Sequence, residues 1–136
     1  MLETDYKYEQ KKGPCRYMKS KAAVSVGQIK KVTAKQLALQ EAVHQGPVVA
    51  SFNTNADKLF SWDINTLFED NTCDPRREKL NHVVLVIGWG IENGDNYWLI
   101  QNSWGTTWGV KGYLKMKFNQ KKSDCGLFND AYKFLE

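Results

Sequence analysis

The chain has 136 residues, the length of one domain or of part of a larger one. Hydrophobic residues make up 42% and charged residues 25%, which excludes a disordered tail, a collagen-like repeat and a coiled coil. The net charge of +4 is spread among interleaved acids and bases, so no nucleic-acid partner is expected, and the longest apolar run, Val83 to Ile91, is too short to span a bilayer, so no membrane partner is expected either.

Residues 1 to 24 are polar and irregular, and Met1 to Gln10 shows no charged-then-apolar pattern, so no signal peptide is expected in this stretch. Thr33 offers an N-cap with Gln36 three residues later, the pattern of a capping box. Ala38, Leu39, Ala42 and Val43 form the apolar stripe of a short helix, which Gly46 and Pro47 end. Val48 to Phe52 reads as a strand, and a short helix is expected around Lys58 to Trp62 before a loop rich in Asn and Asp. His82 to Trp89 is continuous and rich in β-branched residues, as in a buried strand. Asn93-Gly94 marks a hairpin turn into Asn96 to Gln101, with Tyr97 and Leu99 on one side and Trp98 and Ile100 on the other. Gly105 to Gly112 reads as a tight loop, and Tyr113 to Phe118 alternates with Leu114, Met116 and Phe118 inward. The expected fold class is α+β, mostly antiparallel β with one or two short helices.

All three cysteines, Cys15, Cys73 and Cys125, sit in polar, turn-like surroundings, which suits disulfides and an oxidising compartment. Three is odd, so one cysteine has no partner within the chain. Three unpaired thiols in a reducing compartment are the competing reading. No C-x-x-C or H-x-x-x-H pair is present, so no zinc or other metal site is expected, and no cofactor is expected. His44 ends a helical pattern and reads as surface, where the helix dipole favours a cation. His82 heads an apolar strand. Pairing the strands about Asn93-Gly94 brings His82 and Asn102 to comparable heights at the open end of the hairpin. A histidine whose ring N–H meets an amide oxygen is held in one tautomer, as the base of a Cys-His-Asn arrangement requires.

The local words around these two residues are more specific than their spacing. Asn81-His82-Val83-Val84-Leu85-Val86-Ile87-Gly88-Trp89-Gly90 resembles the histidine segment of the papain family of cysteine peptidases. Tyr97-Trp98-Leu99-Ile100-Gln101-Asn102-Ser103-Trp104-Gly105 is similar to that family's asparagine segment, and Trp108-Gly109 through Gly112-Tyr113 resembles the segment after it. Tyr6-Lys7-Tyr8-Glu9 with Cys15, Gly46-Pro47-Val48 and Cys125-Gly126 resemble further landmarks, in order.

The resemblance implies two lobes with a cleft between them. Residues 1-24 would be the tail of a helical lobe and the crossover from it, and 25-136 the barrel-like β lobe. It implies a cysteine-type peptidase acting on peptide or protein substrates, with His82 as general base and acid and Asn102 as the residue orienting it. Trp104 falls on an indole that shields the His–Asn hydrogen bond, and Trp108 on a wall of the leaving-group side. Asn81 falls on a main-chain contact to substrate, with Leu80, Ser51 and Asp130 on a pocket for the second substrate position. Asp130 at its floor would admit basic as well as apolar side chains.

Cys73 and Cys125 resemble a disulfide pair, and Cys15 a cysteine whose partner lies in the helical lobe. That lobe also carries the family's nucleophilic Cys and oxyanion Gln, and no matching segment exists here. The chain alone is therefore expected to be inactive, with the missing N-terminal helical lobe as its partner. The alternative is a non-catalytic lobe that binds peptides or proteins. By the same resemblance the setting is lysosomal or extracellular. Val83 replaces the family's usual Ala or Gly, and Gln101 a usual Lys or Arg.

Overall fold

The computed structural model describes residues 1–118 and 120–135. Its centre is the hairpin of β3 (His82–Glu92) and β4 (Asp95–Gln101). Asn93 and Gly94 both adopt positive φ, 51° and 87°, the pair of left-handed residues that a tight hairpin needs to match strand twist. Around the hairpin a six-stranded antiparallel sheet runs β1-β6-β2-β3-β4-β5. The other strands are β1 (Ile29–Lys31), β2 (Val48–Phe52), β5 (Tyr113–Lys117) and β6 (Ala131–Phe134). Two helices complete it, α1 (Gln36–His44) and α2 (Ala56–Phe60).

Because side chains alternate across a strand, the sheet has two distinct faces. The inner face carries Val48, Ala50 and Phe52 of β2, Val84 and Val86 of β3, Trp98 and Ile100 of β4, and Leu114 and Met116 of β5, all buried. Leu39 and Val43 of α1, Leu59 of α2, Phe68 and Leu127 join that core. Each fully buried side chain of this size contributes about 1.5–3 kcal/mol. The Trp98 indole N–H donates to the buried Asp124 carboxylate at 2.7 Å, which satisfies the core's largest polar handle.

The other face is open. Cross-strand pairs place Val49 beside Leu85 and Ser51 beside Val83. Val49, Val83, Leu85 and Gln101 line an open groove of about 270 Å³ there, and Ile87, Leu99, Val110 and Tyr113 line a second of about 290 Å³. This corrects the reading of His82 to Trp89 as a buried strand. Val84 and Val86 are buried, but Val83 is 56% exposed, because the described residues leave its side of the sheet open.

Two helix boundaries also differ from expectation. Lys35, not Thr33, is the N-cap of α1, and no side chain caps it. The Lys35 N–H instead bonds the Thr33 carbonyl in a tight turn at 2.7 Å, so the helix starts only at Gln36. The second helix begins earlier than Lys58, because the Asn55 side chain accepts hydrogen bonds from the Asp57 and Lys58 N–H groups and caps it.

Candidate active site

His82 is the first residue of β3 and pairs with Phe52, while Asn102 directly follows β4. The Asn102 N–H donates to the Gly112 carbonyl, so the Gly-rich loop that returns to β5 holds its backbone in place. The imidazole Nε2 of His82 lies 2.9 Å from Asn102 Oδ1. The same Oδ1 accepts the Ser103 backbone N–H at 2.8 Å, so this atom is the amide oxygen and not the nitrogen. An oxygen only accepts; Nε2 therefore carries the proton of this hydrogen bond, and Nδ1 has no hydrogen-bond partner among the described residues. Asn102 is buried, and its Nδ2 has no partner among the described residues.

Aromatic rings surround the imidazole. Phe52 meets it edge-on at 5.6 Å and Trp104 at 5.2 Å. Trp104 continues to Trp108 at 5.1 Å and to Phe60 of α2 at 6.3 Å. Trp108 is buried against Trp62, whereas Trp104 is 37% exposed and Phe60 73% exposed. An exposed aromatic shelf thus runs from His82 to α2. Phe60 escapes sequence reasoning; its one available signal is a large apolar residue on the solvent side of a short helix.

Asn81 braces the other flank. Its Oδ1 accepts the Thr54 N–H at 3.0 Å and its Nδ2 donates to the Thr54 carbonyl at 2.9 Å, as a neighbouring strand would. Leu80 is half-buried against Gly126. A Cβ at Gly126, whose φ is +87°, would lie 2.5 Å from Leu80 Cδ2 and 2.9 Å from the Pro75 carbonyl.

Ser51 and Asp130 come together: Ser51 Oγ donates to Asp130 Oδ2 at 3.2 Å, and the Ser51 N–H to the Asp130 carbonyl. The Asp130 carboxylate also accepts from Tyr132 Oη at 3.0 Å and faces Arg77 Nη2 at 3.1 Å. The structure therefore groups His82, Asn102, Trp104 and Trp108 in one cluster and Ser51 with Asp130 in a second, with Val83 between them.

Cys73 and Cys125 form a disulfide, with Cα atoms 5.5 Å apart. Cys15 is free and exposed. Among the described residues no group of three His, Cys, Asp or Glu is placed to hold a metal, and no helix is long and apolar enough to cross a membrane.

A strand-end imidazole with one nitrogen tied to a buried amide has a second nitrogen that can accept a proton. The family model of papain family cysteine proteases matches residues 1–134. The chain belongs to the papain family. Among its relatives, cathepsin J of Rattus norvegicus is 35% identical over 134 residues, covering 95% of this chain and 39% of the relative. Pro-cathepsin H of Bos taurus is 36% identical, with 93% and 37% covered. Digestive cysteine proteinase 2 of Homarus americanus is 35% identical, with 92% and 38% covered.

Among solved structures, digestive procathepsin L 3 from Tenebrio molitor larval midgut superposes with a TM-score of 0.84 at 32% identity. That match covers all of this chain and 44% of the other. The chain thus spans about two fifths of the papain-family relatives it matches, as their C-terminal portion. Its mostly antiparallel architecture is the papain-like fold of that portion.

Proposed function

We propose that this chain is the His–Asn half of a papain-like cysteine endopeptidase, and that it completes a peptide-hydrolysing site only when joined to an N-terminal helical lobe. The observation that carries this is the His82–Asn102 hydrogen bond, with Nδ1 unpartnered among the described residues. Nδ1 would accept the proton of a thiol supplied by the other lobe, leaving a thiolate and an imidazolium. The thiolate would attack the scissile carbonyl, and the imidazolium would return its proton to the departing amine. Asn102 suits this cycle because an amide orients the ring without competing for the proton. Trp104, packed on the imidazole, keeps water from the Nε2–H bond.

In this reading residues 1-24 are the crossover from the helical lobe, and 25-136 the β lobe. Asn81, Leu80, Ser51 and Asp130 bind the substrate before the scissile bond, and Trp104 and Trp108 after it. The helical lobe lies over the open sheet face around Val83, Leu85 and Ile87. The Cys73–Cys125 disulfide supports a lysosomal or extracellular setting.

A second reading, a non-catalytic lobe that binds peptides or proteins, draws on two observations: both buried cysteines are oxidised, and Cys15 makes no hydrogen bond with His82 among the described residues. One experiment separates the two. The chain is refolded with the N-terminal half of a relative such as Tenebrio molitor procathepsin L 3, and turnover of a peptide-amide reporter is measured. The peptidase reading expects activity that a thiol alkylator blocks and His82→Ala removes, and none from the chain alone. A correctly assembled two-lobe protein that binds the peptide without cleaving it would leave the non-catalytic reading.

A further inference from the structure

The second cluster carries more than the sequence suggested for it. Asp130 has its side chain 20% exposed, and its two oxygens meet four groups. Arg77 Nη2 at 3.1 Å and Tyr132 Oη at 3.0 Å face Oδ1, Ser51 Oγ at 3.2 Å faces Oδ2, and Lys31 Nζ stands 4.0 Å from Oδ1. The Arg77 Nη2 also donates to Tyr132 Oη at 3.2 Å. A carboxylate has about four lone-pair positions, so little acceptor capacity remains for a newcomer. Two cations face one anion here, and the corner is net positive.

Arg77 is aimed rather than adventitious. It opens the one-turn 3-10 segment Arg77–Lys79, and that turn is tied at each side. Arg76 grips the Asp74 carboxylate through Nε and Nη2. The Lys79 carbonyl accepts the Asn53 side chain at 2.6 Å, and the Pro75 carbonyl accepts the Asn129 side chain at 2.9 Å. The cluster is also continuous with the imidazole: Val83 follows His82 in β3 and pairs across the sheet with Ser51.

We propose that Arg77 is a specificity-determining residue: it occupies the Asp130 carboxylate as a built-in cation, so that a substrate side chain reaching this corner is selected to be apolar or uncharged and not basic. This rests on the reading of Ser51, Leu80 and Asp130 as substrate-binding. An arginine or lysine from substrate would have to displace Arg77 and face both Arg77 and Lys31. A leucine would pack on Val83 and Leu80 and leave the ion pair intact. Arg77 is 63% exposed along its side chain, so its removal opens the carboxylate without opening the core.

The test uses two probes, N-acetyl-arginine amide and N-acetyl-leucine amide, titrated into the full chain while backbone amide signals of Ser51, Asp130 and Tyr132 are followed by NMR. Arg77→Ala, and Arg77→Met as a variant that keeps an apolar stem, should each bind the arginine probe about three- to five-fold more tightly than the unchanged chain, the scale of one released, largely exposed charge pair. Adding Asp130→Asn should abolish that gain, and binding of the leucine probe should not change. If the two Arg77 variants bind the arginine probe no better than the unchanged chain, or if the gain survives Asp130→Asn, the proposal is overturned. In the refolded two-lobe protein the matching readout is the kcat/KM ratio for Arg over Leu at the second position before the scissile bond. It should rise about three- to five-fold in Arg77→Ala. A two-lobe protein with no turnover would count against the peptidase reading alone, because the NMR titration reads Arg77 without it.

Discussion

Replacing Cys73 and Cys125 together by alanine should destabilise the isolated chain by about 4 kcal/mol. The cross-link closes a sequence separation of 52 residues. The loop-closure entropy it removes from the unfolded chain is worth about 4 kcal/mol at 25 °C. Both residues are buried, at 3% and 2% exposure, so the lost sulfur atoms leave small voids that add to the effect. Residual structure in the unfolded chain works the other way and trims it. With a urea m-value of about 2 kcal/mol per molar, the midpoint should fall by about 2 M. The assay is equilibrium urea unfolding followed by tryptophan fluorescence, for which the fully buried Trp98 is the reporter. Reducing the native bond with a dithiol should give a similar shift. A midpoint within about 0.5 M of wild type at unchanged m would refute the argument.

Three further outcomes are expected. Asn102→Ala should expose the imidazole Nε2 proton to solvent exchange, so a signal resolved by NMR in the native chain should be lost; its persistence would mean that Asn102 does not hold the ring. Asp124→Ala leaves the buried Trp98 N–H without its acceptor and should cost about 1–3 kcal/mol in urea unfolding, with Asp124→Asn milder because it keeps an oxygen; wild-type stability in the alanine variant would contradict this. Burial pushes the Asp70 carboxyl up, but hydrogen bonds from Thr72 and Lys58 outweigh it and leave the group below its ordinary value, while the Arg76 fork holds Asp74 at about 2. Both groups therefore support the fold above the usual carboxylate range and lose that support as pH falls through their lowered values. Lys58→Met should lower Tm more at pH 7 than at pH 3, and parallel Tm–pH curves for the two proteins would refute the coupling.

The sequence is most legible where it is periodic. The Asn-Gly turn and the alternation in β4 and β5 are local signals, and the structure keeps them almost residue for residue. The heights of His82 and Asn102 depend on that one turn. The outer strands do not declare themselves: Lys30 and Lys31 make β1 look like surface, and β6 is a four-residue strand in a mixed tail. The start of α1 differs from expectation because the Thr33 carbonyl, not its side chain, is what organises the turn. The exposure of Val83 is hidden because a continuous apolar run looks the same whether one face or both are covered within the chain. The Arg77–Asp130 pair joins a one-turn segment to the residue before β6, and no spacing rule connects such positions.

The amide of Asn81 bears on how the chain breathes. By bonding both the N–H and the carbonyl of Thr54, it extends the sheet's hydrogen-bond ladder one rung past the Phe52–His82 pair, through a side chain instead of a backbone. The segment that carries α2, and with it Phe60, begins at that rung. Lifting this segment away means unpairing Asn81, and Asn81 is bonded directly to the residue that opens β3. Local opening at the aromatic shelf is then tied to fraying of the central sheet's end, and the two belong to one cooperative unit. The imidazole and the shelf beside it keep their relative placement for as long as that end of the sheet stays zipped.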